Sequence, residues 1–427
     1  MSNRFLESMR DLLGEEYSEF LKAYEGKPRR KALRVNTLKI SVERFMDLFK
    51  APLIQNPLCP QSFYCDVKPS LDPLYHAGLY YMQEASASAA VSAFAPYIGE
   101  RVLDLCAAPG GKATQAAAFM TGGVIFCNDP EYKRTRALCE NIERLGIQNA
   151  VVTCNTAADY RAAGFDGYFD TLIVDAPCSG GGMTRYEQVP YSTEIVDGCA
   201  ARQRAILKNG VELLCGGGYM LYSTCTFSKQ ENEDNIKYLQ DLGMETVEIP
   251  LRSGEARGID CNNARRVYPH NFDGEGHFYC VLKKPASKSG ECGLERARQK
   301  KTRVVFGGLS LDAVVINGRT VLPIDLPRTD GLNVLRAGVP VEAEGEPTHS
   351  LSHALLPAQA EMLGTVELGE LAQNYLRGEQ LTVSAPRGTL IATIRGFALG
   401  LVKSAPAGDG TSVLKNRYPK GLRLIRN

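Results

Sequence analysis

The chain has no tryptophan, only five histidines and no Cys-x-x-Cys pair. Without paired cysteines or clustered histidines no zinc pattern exists, and no metal is expected. No apolar run is long enough to cross a bilayer, and the charged, amphipathic start MSNRFLESMRDLLGEEYSEFLKAYEG lacks the uninterrupted apolar stretch of a secretory signal. Strong net charge is missing too: 49 Lys and Arg stand against 48 Asp and Glu, which excludes a uniformly basic coat for nucleic acid. These absences predict a cytoplasmic protein with no membrane part.

What is present is 427 residues, 44% of them hydrophobic. That is too much chain for one ordinary core, so two to four domains are expected. Thirteen cysteines, many inside strand-like or helix-like runs, fit reduced thiols rather than a disulfide framework. The average charge hides patches. LERARQKKTR (294–303) sets Arg296, Arg298, Lys300, Lys301 and Arg303 against Glu295 alone. VLKNRYPKGLRLIRN at the end carries Lys415, Arg417, Lys420, Arg423 and Arg426 without an acid, and GKPRRKALR near the start is similar. Any one of them reads equally well as a solvated linker or tail. Three on one chain favour a nucleic-acid partner.

The middle of the chain alternates between periods. RVLDLCAA, GVIFCND, AVVTCN, FDTLIVDA and GYMLYSTCTF read as strands. Between and after them GGKATQAAAFM, EYKRTRALCENIERLG, CAARQRAILKNGVELL and QENEDNIKYLQDLG read as helices, and GHFYCVLKK as a late strand. This spacing predicts an α/β fold with a doubly wound, mostly parallel sheet. Before it, ALRVNTLKI predicts a strand and GLYYMQEASASAAVSAFAPYIG (78–99) a helix; after it, PASKSGECG marks a linker into strand-rich, small α+β or barrel-like pieces.

LDLCAAPGGK (103–112) places Pro109, Gly110 and Gly111 between a strand and a helix, so backbone N–H groups can approach a ligand. It is neither the dinucleotide glycine pattern nor a phosphate loop. The next strand ends in Asn128-Asp129, about 20 residues on, where Rossmann-like folds hold a ribose. A nucleoside cofactor with no phosphate demand fits both features, and S-adenosylmethionine is the obvious candidate. Two later strands end in DAPCSGGG and YSTCTF, which brings Asp175, Cys178 and Cys225 to the same carboxyl edge. A lone strand-end cysteine is more often a small buried apolar residue; two at neighbouring strand ends, beside a carboxylate and a cofactor turn, are not.

Methylation of a pyrimidine at carbon 5 wants this set. That carbon is a poor nucleophile until a thiolate adds to carbon 6 and turns the ring into an enamine. The step needs a group on ring N3, for which Asp175 is placed, and a helper to clear the adduct. The target base must be single-stranded or flipped out.

DLCAAPGGK, VDAPCSG, YSTCTFSKQENE and RVYPHNFDGEGHF, in that order, resemble the Sun/nucleolar-protein family of RNA cytosine carbon-5 methyltransferases. The likeness is greatest to its bacterial RsmF-like branch, which acts on 16S rRNA of the small subunit, and it extends to LRVNTLK (33–39), YYMQEASA (80–87) and LKNRYPKGLR (414–423). The resemblance implies that Cys225 is the nucleophile and that Cys178 assists release of product. It assigns cofactor contacts to Cys106, Ala107, Ala108, Pro109, Gly110, Gly111, Lys112, Asp129 and Asp175, with Lys112 also near the reacting groups. Two departures stand out. Thr156 occupies the place of an acidic residue near the adenine, so that Asn155 and Thr156 supply the hydrogen bonds there, and CSGGGMTRYEQ replaces CSGEGMFRK in a loop expected to face substrate. The implied organisation is an N-terminal RNA-binding extension (1–95), a Rossmann-like S-adenosylmethionine-dependent methyltransferase domain (96–285), a small α+β connector (295–367) and a PUA-like RNA-binding module (368–427). A monomer acting on RNA is expected. The alternatives are a transfer-RNA methyltransferase with the same chemistry, or a non-catalytic RNA-binding assembly protein.

Overall fold

The computed structural model describes residues 3–26, 30–181, 191–286, 294–316, 318–343, 345–408 and 410–424. Its centre is one mixed sheet. β1 (Arg101–Asp104), α1 (Gly111–Phe119), β2 (Val124–Asn128), α2 (Tyr132–Arg144), β3 (Ala150–Thr153), α3 (Ala157–Ala162), β4 (Phe169–Asp175), α4 (Thr193–Leu213) and β5 (Leu214–Thr224) alternate along the chain. The five strands are parallel in the order β3-β2-β1-β4-β5. They read as near-continuous apolar runs because helices cover both faces and leave no solvent side; all five residues of β2 are buried.

After α5 (Glu233–Asp241), the hairpin of β6 (Glu255–Gly258) and β7 (Cys261–Val267) leads to β8 (His277–Lys283), which runs antiparallel to β5. At the far edge β9 (Val334–Ala337) pairs antiparallel with β3, so a piece of the segment after the linker completes the central sheet. Strand order reverses around β1, and the crevice between the carboxyl ends of β1 and β4 is where such a sheet binds its ligand. The expected α/β class and mostly parallel sheet are what the chain forms.

Three local expectations change. The 78–99 run is not all helix: Tyr80–Met82 is a strand of the N-terminal sheet, and helix Ala85–Phe94 starts only where Glu84 accepts from the Ala87 N–H at 2.8 Å. Aromatic residues suit a strand, and the small-residue run carries the helix. Gly216-Gly217-Gly218, which in sequence read as the stop of the helix CAARQRAILKNGVELL, do not close α4 but lie in β5, the helix having ended at Leu213. The hairpin β6–β7 was not anticipated. The linker expected at PASKSGECG falls from residue 287 onward outside the described residues.

The N-terminal segment forms a four-stranded sheet from Ile54–Gln55, Ser62–Tyr64, Ala32–Val35 and Tyr80–Met82, in that order. The C-terminal five-stranded sheet is built from Thr365–Glu367, Gly388–Ile394, Phe397–Pro406, Ser412–Asn416 and Leu381–Val383. The two share one apolar core, in which Leu33, Phe45 and Tyr80 pack with Tyr375, Leu399 and Leu414.

Candidate active site

The turn after β1 is shaped by backbone bonds. The Ala107 N–H donates to the Asn128 carbonyl at 2.7 Å and the Gly110 N–H to the Ala107 carbonyl at 2.6 Å. Gly110 has φ +115°, a conformation that side chains resist, so glycine is required there for the chain to enter α1. From outside, the buried Arg34 clamps that helix: its Nε donates to Gln83 Oε1 and its NH2 to Thr114 Oγ1, both at 2.8 Å. The motifs LRVNTLK and YYMQEASA thus grip the helix that follows the cofactor turn.

Two buried carboxyl oxygens of this crevice, Asp104 Oδ2 and Asp129 Oδ2, have no hydrogen-bond partner. Asp129 Oδ2 lies 3.2 Å from Arg134 NH1 without hydrogen-bond alignment, while its other oxygen accepts from the Glu131 N–H at 3.0 Å. Buried acceptors left open in this way suit a ligand rich in donors. The ribose hydroxyls and the ammonium of S-adenosylmethionine are such donors, so the residues fit that cofactor. Burial, then the neighbouring Asp175, pushes the Asp104 carboxyl up to about 8. Burial also raises Asp129 and the thiol of Cys106.

The strand ends of β4 and β5 come together as the sheet order requires. Asp175 Oδ2 is paired with Lys112 Nζ at 2.8 Å, and its Oδ1 accepts from Ser223 Oγ at 2.8 Å. Burial would raise this carboxyl, but Lys112, His277 and Ser223 outweigh it and hold the group below its usual range. The sulfurs of Cys178 and Cys225 are 3.2 Å apart as free thiols. The hydrogen bond to Cys225, then burial, drives the Cys178 thiol well above its ordinary value.

Beneath them a buried network fixes both loops. Glu231 accepts from Ser179 Oγ at 2.5 Å, from the Ser179 N–H at 2.9 Å and from Gln203 at 2.9 Å, and Ser179 Oγ also meets Thr226 Oγ1 at 3.0 Å. The neighbour of each cysteine is therefore tied to the neighbour of the other.

Of the residues expected from sequence, Lys112, Asp175, Cys178 and Cys225 converge on one edge, with the turn from Cys106 to Gly111 and Asp129 alongside. Thr156 is engaged within its own turn. It is exposed and caps α3, donating its hydroxyl to Asp159 at 2.8 Å. Asn155 instead meets Asn333, whose N–H it accepts at 3.0 Å. The expected substrate-facing loop lies from residue 182 outside the described residues. Sequence reasoning passed over Asp104, Ser223, Glu231 and His277, although all four sit inside quoted motifs; alternation along YSTC and GEGHF would have put Ser223 and His277 on the face of Asp175.

A groove of about 1120 Å³ is not this site: it opens at the opposite edge of the sheet, between Arg101, Asp170, Tyr219 and Lys284.

Three family models match successive parts of the chain. Residues 91–283 match the family described as 16S rRNA methyltransferase RsmB/F, residues 1–85 the N-terminal domain of 16S rRNA methyltransferase RsmF, and residues 366–424 the methyltransferase RsmF PUA domain. Ribosomal RNA small subunit methyltransferase F of Klebsiella pneumoniae is 32% identical over 467 residues, covering 98% of this chain and 95% of that protein. The protein of the same name from Vibrio vulnificus is 33% identical over 340 residues, covering 72% and 70%. Among solved structures, a methyltransferase homolog protein from Pyrococcus horikoshii is 29% identical with a TM-score of 0.57, over 66% of this chain and all of that one. NSun6 from Pyrococcus horikoshii with SFG shares the fold at 23% identity and a TM-score of 0.61, over 67% and 99% of the chains. With these matches spanning N-terminal segment, central sheet and C-terminal module, the chain belongs to the RsmF family of 16S rRNA methyltransferases.

Proposed function

We propose that this chain methylates carbon 5 of cytosine in 16S rRNA, with Cys225 as the attacking sulfur and Cys178 as the agent of release. The observation that carries the reading is the 3.2 Å approach of the two sulfurs beside the Lys112–Asp175 pair. Cys225 adds to carbon 6 of a flipped-out cytosine, and the ring electrons move towards N3. Asp175, ionised beside Lys112 and Ser223, holds the N3–H that forms, and Lys112 is the nearest proton source. S-adenosylmethionine supplies the methyl group, which the activated carbon 5 takes up. Cys178 passes its own thiol proton to solvent and takes the carbon 5 proton; this expels Cys225 as thiolate, N3–H returns its proton to Lys112, and the ring is restored.

In this reading the turn from Cys106 to Lys112, with Asp129, Thr156 and Asp175, holds the cofactor. The division at 1–95, 96–285, 295–367 and 368–427 assigns RNA holding to the outer parts, and the enzyme works as a cytoplasmic monomer. No described helix is long and apolar enough to cross a membrane. Incubation with labelled S-adenosylmethionine and small-subunit RNA tests the proposal. The wild type gives 5-methylcytosine, Cys225→Ala gives none, and Cys178→Ala accumulates a covalent RNA adduct. Product undiminished in Cys225→Ala, or labelling of transfer RNA in preference to 16S rRNA, overturns it.

A further inference from the structure

His277 opens β8, where the ladder Phe278↔Thr224 and Tyr279↔Ser223 brings it level with Cys225. Residues opposite one another in a ladder share a face, so His277, Cys225, Ser223 and Asp175 line one side of the sheet edge. The imidazole is 3% exposed, and its Nε2 is 3.8 Å from Asp175 Oδ1. That nitrogen has no hydrogen-bond partner. The neighbouring Gly276 backbone acts on the ring as an acceptor; in the tautomer that carries its proton on Nδ1, Nε2 presents a bare lone pair. Two acceptors thus face each other with no proton between them, at the end of the strand whose next residue is the attacking cysteine.

We propose that His277 is a specificity-determining residue of the base site, its Nε2 accepting a hydrogen bond from the exocyclic amine of the target cytosine. The assignment rests on the cytosine reading above. Asp175 holds N3–H, and His277 holds the neighbouring N4–H; a uracil would still offer its N3–H to Asp175 but would turn an O4 lone pair on Nε2, leaving two facing acceptors without a donor. Burial, then Lys112, lowers the imidazole to about 3, so it stays a neutral acceptor and does not become a donor that would welcome uracil.

The test compares His277→Phe and wild type on two versions of the mapped 16S rRNA target helix. One carries cytosine at the target position; the other carries pyrimidin-2-one ribonucleotide, which lacks the amine but still accepts a thiolate at carbon 6. Initial rates of covalent adduct formation are measured on both, with cofactor affinity followed by calorimetry. His277→Phe is expected to lose roughly 10- to 100-fold on cytosine, the range for a lost buried partner, and under about threefold on pyrimidinone. His277→Gln, which can present an acceptor near Nε2, recovers part of the cytosine rate. Equal losses on both RNAs, or no recovery in His277→Gln while both variants bind cofactor normally, overturn the assignment. Wild-type turnover on the cytosine RNA separately reports the parent reading.

Discussion

At the residue scale the site works through unequal partners. Asp175 is ionised because Lys112, at 2.8 Å, offsets the cost of its burial. Its folded value lies below the ordinary one, so the stabilisation is present above about 3.8 and is lost as pH falls through the folded value. Lys112→Met removes the main cation. The acidic limb of the kcat/KM profile then moves to higher pH, and kcat/KM falls by roughly 100-fold or more, as expected for a charged hydrogen bond broken in a buried site. Asp104 behaves in the opposite sense. Held up at about 8 by burial, it is mostly protonated near neutrality, and a cationic ligand lowers it. Cofactor binding between pH 6.5 and 7.5 therefore releases a fraction of a proton (about one half or more), read by calorimetry in buffers of different ionisation enthalpy. Asp104→Asn abolishes that release; undiminished release in the variant assigns it elsewhere.

At the element scale, positions that tolerate only one backbone shape set the geometry of the side chains at the site. Gly276 precedes His277 with φ +113°, and a Cβ there would meet Phe227 Cζ at 2.3 Å. Phe227 in turn follows Cys225 by two positions and packs at the end of the β5 loop. Gly276→Ala must displace that ring and strain the backbone together, costing about 2–4 kcal/mol, measured by denaturant unfolding. Its adduct-forming rate drops further than its cofactor affinity, because the displacement reaches Cys225 and not the β1–α1 turn.

The strands and helices of the central sheet were legible in sequence for a plain reason. Parallel strands covered on both faces are apolar throughout, and the helices between them show their own period. Edge elements were less legible. β9 follows a linker, and only pairing with β3 makes those four half-buried residues a strand. Tyr80–Met82 was hidden because its apolar residues run straight into the helix that Glu84 caps.

For the molecule as a whole, the two chain ends are one structural unit. Leu33, Phe45 and Tyr80 from the first hundred residues need Tyr375, Leu399 and Leu414 from the last hundred to complete their core. Truncation after residue 364 exposes that face. The shortened chain is expected to melt lower by about 5–10 °C and to bind a hydrophobic dye, checked by calorimetry and fluorescence. An unchanged melting point contradicts the shared core. The basic residues sort in the same way. In the 294–303 patch Arg296 and Arg303 are ion-paired with Asp325 and Asp312, while exposed Arg298, Lys300 and Lys301 form no ion pair among the described residues.

The sequence by itself determined the alternation of the central sheet, the glycine turn after β1 and the presence of reactive side chains at the ends of β4 and β5, because each depends on residues near one another in the chain. Tertiary structure alone decided the rest. Only sheet order brings Cys178 within 3.2 Å of Cys225, only the antiparallel return of β8 sets His277 beside Asp175, and only the meeting of both chain ends buries the outer core. Those relations turn on which strand pairs with which, and pairing between distant segments is fixed by burial and hydrogen bonding across the whole fold rather than by any local pattern.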